Sequence, residues 1–295
     1  MERPTPPWIN QIPEGAFVSY DPTYPTGKYF DRFERDEAAG LKYYFFDPTK
    51  HGYPKKKDYP LLIFLHGTSN ALVGDLCINY TGAEMYASDE YQKDLGGAYI
   101  LIPVANEYRD ENENVVGFWN DEYIEPVSEL IDDFLSKHTL GVGVRFLLGN
   151  SSGARFTFTM AKYHPEKFDV LIPVGAFEIP ADGILDIFED LGITLFYAYS
   201  KHDEFMSFER VVLPRLEKIS SMKNSFVFTP DWTYNGDKGI ASINFGIEMG
   251  QHCLMNEIQM NIKFDDGTPM DESLPGGLTS WMAGEIARRG KKRRR

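Results

Sequence analysis

The residues that draw chemical attention are Gly149-Asn150-Ser151-Ser152-Gly153, a G-x-S-x-G pattern between an apolar run and a segment with helical periodicity. A serine becomes a nucleophile when a sharp strand-to-helix turn pushes its Oγ out over a sheet edge and a base stands ready to take its proton. Glycines must flank it, because side chains there would strike the neighbouring strand and helix. Ser151 is in that register. Ser152 is not, since Asn150 and Ala154 occupy its flanks. The plainer reading is a Gly-Ser loop whose serine caps the next helix.

The base has to be found elsewhere. The chain holds six histidines: His51, His66, His138, His164, His202 and His252. The elbow architecture orders its residues as serine, acid, histidine. His252, in MGQHCLMNEI, lies well beyond Ser151 and beyond a suitable acid. The acid is expected just after a strand, and Ser200-Lys201-His202-Asp203-Glu204-Phe205 follows the run TLFYAY. Asp203 is the choice, with Glu204 and Asp231 as competitors. It would hold the imidazole in one tautomer and stabilise the imidazolium. Backbone donors for a developing oxyanion are expected from Ser152, the residue after the nucleophile, and from the loop His66-Gly67-Thr68-Ser69-Asn70. Thr68 is the first choice there and Ser69 the second. His66 is read as a structural turn residue.

Six short, nearly continuous apolar runs can position these groups: LLIFL (61–65), AYILIPV (98–104), VRFLL (144–148), VLIPV (170–174), TLFYAY (194–199) and SFVFT (225–229). Such runs mark strands buried on both faces, hence a parallel sheet with crossover helices. Two of the intervening helices are expected at 122–138 and 208–219. Tyr- and Phe-rich segments at 16–20, 28–35 and 41–46 predict antiparallel strands leading in. Ala154, Phe158 and Ala161 recur at helical spacing after the elbow. The expectation is an α/β fold with a mostly parallel sheet, helices on both faces and chemistry at the carboxyl ends of the strands.

The pieces FLHGTSN, GNSSGARFTFTMAKYHPEKF, YAYSKHDEF and MGQHC together resemble the α/β-hydrolase superfamily, over roughly residues 60 to 260. Within it the chain is most similar to the branch of feruloyl and acetyl-xylan esterases and polyhydroxybutyrate depolymerases. The resemblance implies a serine esterase needing no metal or organic cofactor. Ser151 would be nucleophile, Asp203 the orienting acid and His252 the base, with Thr68 and Ser152 as oxyanion donors. An amide or peptide hydrolase would use the same triad, and a non-catalytic ligand-binding protein on this scaffold is the third reading. The segment 235–251 ahead of His252 is longer than the resemblance leads one to expect, and would line or cover the pocket.

Composition bounds the rest. The 295 residues and a net charge of −14 suit a globular domain and argue against general affinity for nucleic acid. One domain is expected over 1–287. ARRGKKRRR then carries a basic tail over 288–295, expected to be disordered, with polyanion binding or nuclear localisation as its alternative roles. Cys77 and Cys253 are read as two free buried thiols, with a disulfide between them as the alternative. No apolar leader or membrane-spanning run is visible, so a cytoplasmic protein with a small-molecule ester substrate and no membrane partner is expected. No oligomeric state follows from the sequence. Tyr108, Phe118 and Trp119, after AYILIPV, are candidates for lining an aryl or sugar subsite.

Overall fold

A computed structural model describes residues 27–203, 205–233, 251–264 and 266–293. Among the described residues an eight-stranded sheet runs in the order β1-β2-β4-β3-β7-β8-β9-β10. Its edge is antiparallel: β1 (Glu34–Ala38) pairs with β2 (Leu41–Phe46), and β2 with β4 (Tyr99–Pro103). The remainder is parallel: β4, β3 (Tyr59–Leu65), β7 (Val142–Asn150), β8 (Val170–Val174), β9 (Thr194–Ala198) and β10 (Ser225–Phe228). All six apolar runs are strands of this parallel part. A separate hairpin pairs β5 (Tyr108–Arg109) with β6 (Val115–Val116).

The apolar runs are continuous because both faces of the sheet are covered. Leu61, Ile63, Leu147, Leu171, Leu195 and Tyr197 point into one core. Leu62, Phe64, Phe146, Leu148, Ile172 and Phe196 point into the other. The first core is closed by α3 (Ile124–His138), α4 (Ser152–Tyr163), α5 (Asp182–Asp190) and α7 (Leu213–Ser221). The second is closed by α1 (Cys77–Tyr80), α2 (Asp89–Leu95), α8 (Met255–Gln259) and α9 (Gly277–Arg293). Each large side chain removed from water contributes about 1.5–3 kcal/mol before chain entropy is set against it.

The helix expected at 122–138 begins as a 3-10 turn at Asp121–Tyr123, where Asn120 Oδ1 accepts the Glu122 N–H at 2.8 Å. The one expected at 208–219 is split into α6 (Phe208–Val211) and α7, with Pro214 in the first turn of α7. Pro lacks the N–H that a continuous helix would need.

Two expectations are corrected. Of the strand expected at 28–35, only Glu34 and Arg35 are in a strand, the start of β1; residues 28–33 are not. The Gly27 and Tyr29 amides donate to the Glu84 carboxylate, which turns the segment through a 3-10 helix at Phe30–Arg32 before β1 begins. The basic stretch is not a free tail from 288. Arg288 and Arg289 belong to α9, where Arg289 donates to Gly192 O at 2.8 Å and to Asp169 Oδ1 at 3.1 Å. Arg288 bonds Thr194 Oγ1 at 2.8 Å. Basic residues that find carboxylates and open carbonyls at strand and helix ends are structural groups, whatever the local charge density. The strand expected at 16–20 lies outside the described residues. No described helix is long and apolar enough to cross a membrane.

Candidate active site

β7 runs into α4 through Ser151, whose backbone sits at φ 56°, ψ −115°. A non-glycine residue pays roughly 1–3 kcal/mol for such a conformation, a strain characteristic of functional turns. The flanking glycines are required by contact. A Cβ on Gly149 would lie 2.3 Å from Gly153 O, and one on Gly153 would lie 2.2 Å from Leu65 O. Ser151 occupies the N-cap position of α4, yet its side chain makes no capping hydrogen bond. The helix-cap alternative is therefore not how this serine is used.

At the end of β8 the Ser151 N–H donates to Val174 O at 3.0 Å. The next residue, Gly175, has φ +65°, and a Cβ there would lie 3.5 Å from His252 Cε1 and 3.9 Å from Asp203 Oδ2. Serine, histidine and aspartate thus converge on one strand end. His252 Nδ1 lies 2.6 Å from Asp203 Oδ2. The other oxygen, Oδ1, accepts the Phe205 and Met206 amides at 2.9 and 3.1 Å. Asp203 therefore orders its own loop and faces the imidazole at the same time. Tyr199 adds a second tie by donating its hydroxyl to Met206 O at 2.7 Å. Burial, with the charge of Asp203 behind it, pushes the Tyr199 hydroxyl well above the ordinary phenol range, so it stays a donor. Of the competing acids, Asp231 is paired with Lys201 at 2.7 Å. Glu204 lies outside the described residues, as does most of the segment 235–251.

The loop after β3 abuts the elbow: a Cβ on Gly67 would stand 3.4 Å from Ser151 Cβ. Its amides are largely committed. Gly67 N–H donates to Asn70 Oδ1 at 2.8 Å, and Asn70 N–H to Gly67 O. The Ser69 N–H donates to Glu107 Oε1 at 3.0 Å and the Ala71 N–H to Glu107 Oε2 at 2.9 Å. Among the described residues Thr68 N–H has no acceptor. Ser152 N–H opens α4, where the first-turn amides have no partner within the helix and the dipole is positive. Ser69, the second choice for an oxyanion donor, has its amide engaged by Glu107.

His66 is fully buried and bridges two strand ends. Its Nε2 accepts the Ala105 N–H at 3.0 Å, so Nδ1 carries the proton and donates to Gly67 O at 2.7 Å. Burial pushes this histidine down to about 4. Trp119 lies beneath it. The indole N–H donates to His66 O at 2.9 Å and the ring stacks on Phe156 at 5.4 Å, with no exposed surface. Trp119 is thus a support of the loop rather than a wall of a subsite, because a partly apolar ring with one donor is fully satisfied in the core. Tyr108 and Phe118 are 60% and 39% exposed, open to contact from solution. Cys77 is a free, buried thiol whose burial pushes it up, away from thiolate chemistry.

Phe177, Phe205, Gly175 and Glu107 were not singled out from sequence. Phe177 lies nearly parallel to the His252 ring at 5.9 Å, and Phe205 meets it edge-on at 4.8 Å. Phe177 and Met206 also line a groove of about 400 Å³ with Ile179, Val211 and Arg210. The signal available was position: each of these residues follows the end of a parallel strand. Among the described residues no group of three or more His, Cys, Asp or Glu side chains is placed to hold a metal ion.

The mixed sheet, the strained serine after β7 and the loop after β3 give the chain the α/β-hydrolase fold. Comparison with solved structures agrees. The chain is similar to a thermostable esterase, with a TM-score of 0.58 and 18% identity over 78% of this chain and 61% of that one. It therefore spans less than two thirds of that esterase's length. It is also similar to an esterase from Pyrococcus furiosus, with a TM-score of 0.52 and 12% identity over 92% of this chain and 96% of the other. At these identities the likeness is one of fold. No protein-family profile matches the sequence, and no curated protein matches it by sequence comparison.

Proposed function

We propose that this chain is a serine hydrolase that cleaves carboxylic esters through an acyl-serine intermediate. The observation that carries the reading is the convergence at Val174–Gly175 of a strained serine and a carboxylate-oriented histidine. The likeness in fold to two esterases agrees with it.

In this reading Ser151 Oγ attacks the ester carbonyl carbon while His252 Nε2 takes the hydroxyl proton. Asp203 holds Nδ1–H and stabilises the imidazolium that forms. The carbonyl electrons move onto oxygen, where the Thr68 and Ser152 N–H groups receive them. The C–O bond to the alcohol breaks, and His252 returns its proton to the departing alkoxide. Water then attacks the acyl-serine with the same base, and the acid and free Ser151 are released. No metal or organic cofactor takes part in this scheme. Phe177 and Phe205 give the histidine apolar flanks, and Tyr108 and Phe118 offer exposed rings for an aryl or carbohydrate-linked ester.

The test is fluorophosphonate labelling of wild type and Ser151→Ala with peptide mapping, alongside hydrolysis of p-nitrophenyl esters and the matching anilides. One adduct on Ser151, absent from the variant, with esters cleaved faster than anilides, is expected. Faster anilide cleavage would favour the amide hydrolase. A folded wild type without adduct or turnover would leave a binding protein on this scaffold, and an adduct on another residue would overturn the site.

A further inference from the structure

Glu107 follows the end of β4 and is half-buried, yet among the described residues no basic side chain pairs with it. Both of its oxygens are used on one target, the loop after β3: Oε1 takes the Ser69 amide and Oε2 the Ala71 amide. Ser69, the residue after Thr68, is held at φ 72°, a left-handed conformation that a serine does not adopt freely. The same loop carries Thr68, whose N–H has no acceptor among the described residues, and a Cβ on its Gly67 would stand 3.4 Å from Ser151 Cβ.

We propose that Glu107 is the positioning residue of the oxyanion loop: its carboxylate fixes Ser69 and Ala71 so that the Thr68 amide faces the space beside Ser151. This rests on the serine-hydrolase reading above.

The chemistry of the carboxylate supports a functional role. Burial pushes Glu107 up to about 7, against the pull of the two amides. The neighbouring groups that feel its charge are the Cys77 thiol and the Tyr123 hydroxyl, both neutral, and Tyr123 spends its proton on Gly117 O. A carboxyl group shifted by burial and aimed at a loop beside the elbow is the kind of group that functional sites collect. Gln is isosteric but can accept from only one of the two amides and turns an N–H₂ toward the other. Asp keeps the charge and loses the reach of one methylene.

The test is steady-state hydrolysis of a p-nitrophenyl ester by wild type, Glu107→Gln and Glu107→Asp, with thermal melts of each at the assay pH. An oxyanion donor acts mainly in the transition state, so kcat is expected to fall roughly 10- to 100-fold while KM stays within about twofold. Glu107→Gln is expected to remain folded, and the split between kcat and KM is the readout that a purely structural role would not move. Should Glu107→Gln not fold, the same kcat and KM criteria apply to Glu107→Asp. Unchanged kcat, or a rise in KM alone, would overturn the role given to Glu107. Fluorophosphonate labelling of wild type separates the two ideas. Labelling at Ser151 with wild-type kcat in the Glu107 variants removes only this inference. No labelling and no turnover in wild type removes the hydrolase reading and this inference with it.

Discussion

His252 Nδ1 stands 2.6 Å from Asp203 Oδ2, although 49 positions separate the two residues in the chain. The Asp203 side chain is 1% exposed, so this contact is shielded from competing water. A carboxylate with one oxygen on two backbone amides and the other on an imidazole has no freedom to turn away.

Replacing Asp203 by Asn tests that relationship. The amide oxygen can keep the Phe205 and Met206 bonds, but an N–H₂ group then faces Nδ1 and favours the tautomer that blocks Nε2 as a base. The expected result is a folded protein whose kcat falls about 10⁴-fold, read from ester hydrolysis near neutral pH. A fall of less than about tenfold would remove Asp203 from the proposed triad.

Gly153→Ala is expected to be far more costly than an exposed glycine change. Its new Cβ would meet Leu65 O at 2.2 Å and His66 O at 2.5 Å, both backbone atoms that cannot step aside without moving β3. A loss of about 3 kcal/mol or more is expected in a urea melt. Gly183→Ala, where an added Cβ meets nothing within 4 Å, serves as the neutral control.

His66 makes stability depend on pH in a definite direction. Its folded pKa is held at about 4 by burial, against an ordinary value of 6.5. Between those values the unfolded chain binds the proton and the folded one does not. The neutral histidine therefore contributes fully above 6.5, and the contribution is lost as pH falls toward 4, to the extent of roughly 3 kcal/mol. Glu107, raised to about 7, works in the opposite sense over an overlapping range. The check is the difference in unfolding free energy between wild type and His66→Gln from pH 4 to 7. A difference that does not change with pH would refute the buried neutral histidine.

Arg289→Ala tests whether the basic stretch is structural. The guanidinium is 13% exposed and bonds Gly192 O, Thr194 Oγ1 and Asp169 Oδ1. Removing it leaves the Asp169 carboxylate and an open carbonyl short of a donor. A loss of about 2–4 kcal/mol is expected, or several degrees in melting temperature. A free basic tail would show no change.

Much of this arrangement is legible in the chain. The six apolar runs are strands because a strand covered on both faces has no position that tolerates a polar side chain. The elbow is legible because glycine at 149 and 153 answers to contacts that any added side chain would violate. The charge run at 288–293 misled because composition reports solvation and not docking: Asp169, Gly192 and Thr194 are remote in sequence and adjacent only in the fold.

What the sequence alone determined was the six strands of the parallel part, the turn that strains Ser151 and the order in which the candidate serine, acid and histidine follow one another. These depend on periodicity and turn chemistry within a few residues. What only the tertiary structure decided was which side chains face which space. Trp119 goes beneath the loop, Phe177 and Phe205 flank His252, and Glu107 reaches across from β4 to the loop after β3. The physical reason is that a hydrogen bond between strand ends is set by sheet order, and a sheet order of β4-β3-β7 places side by side loops that the chain keeps far apart.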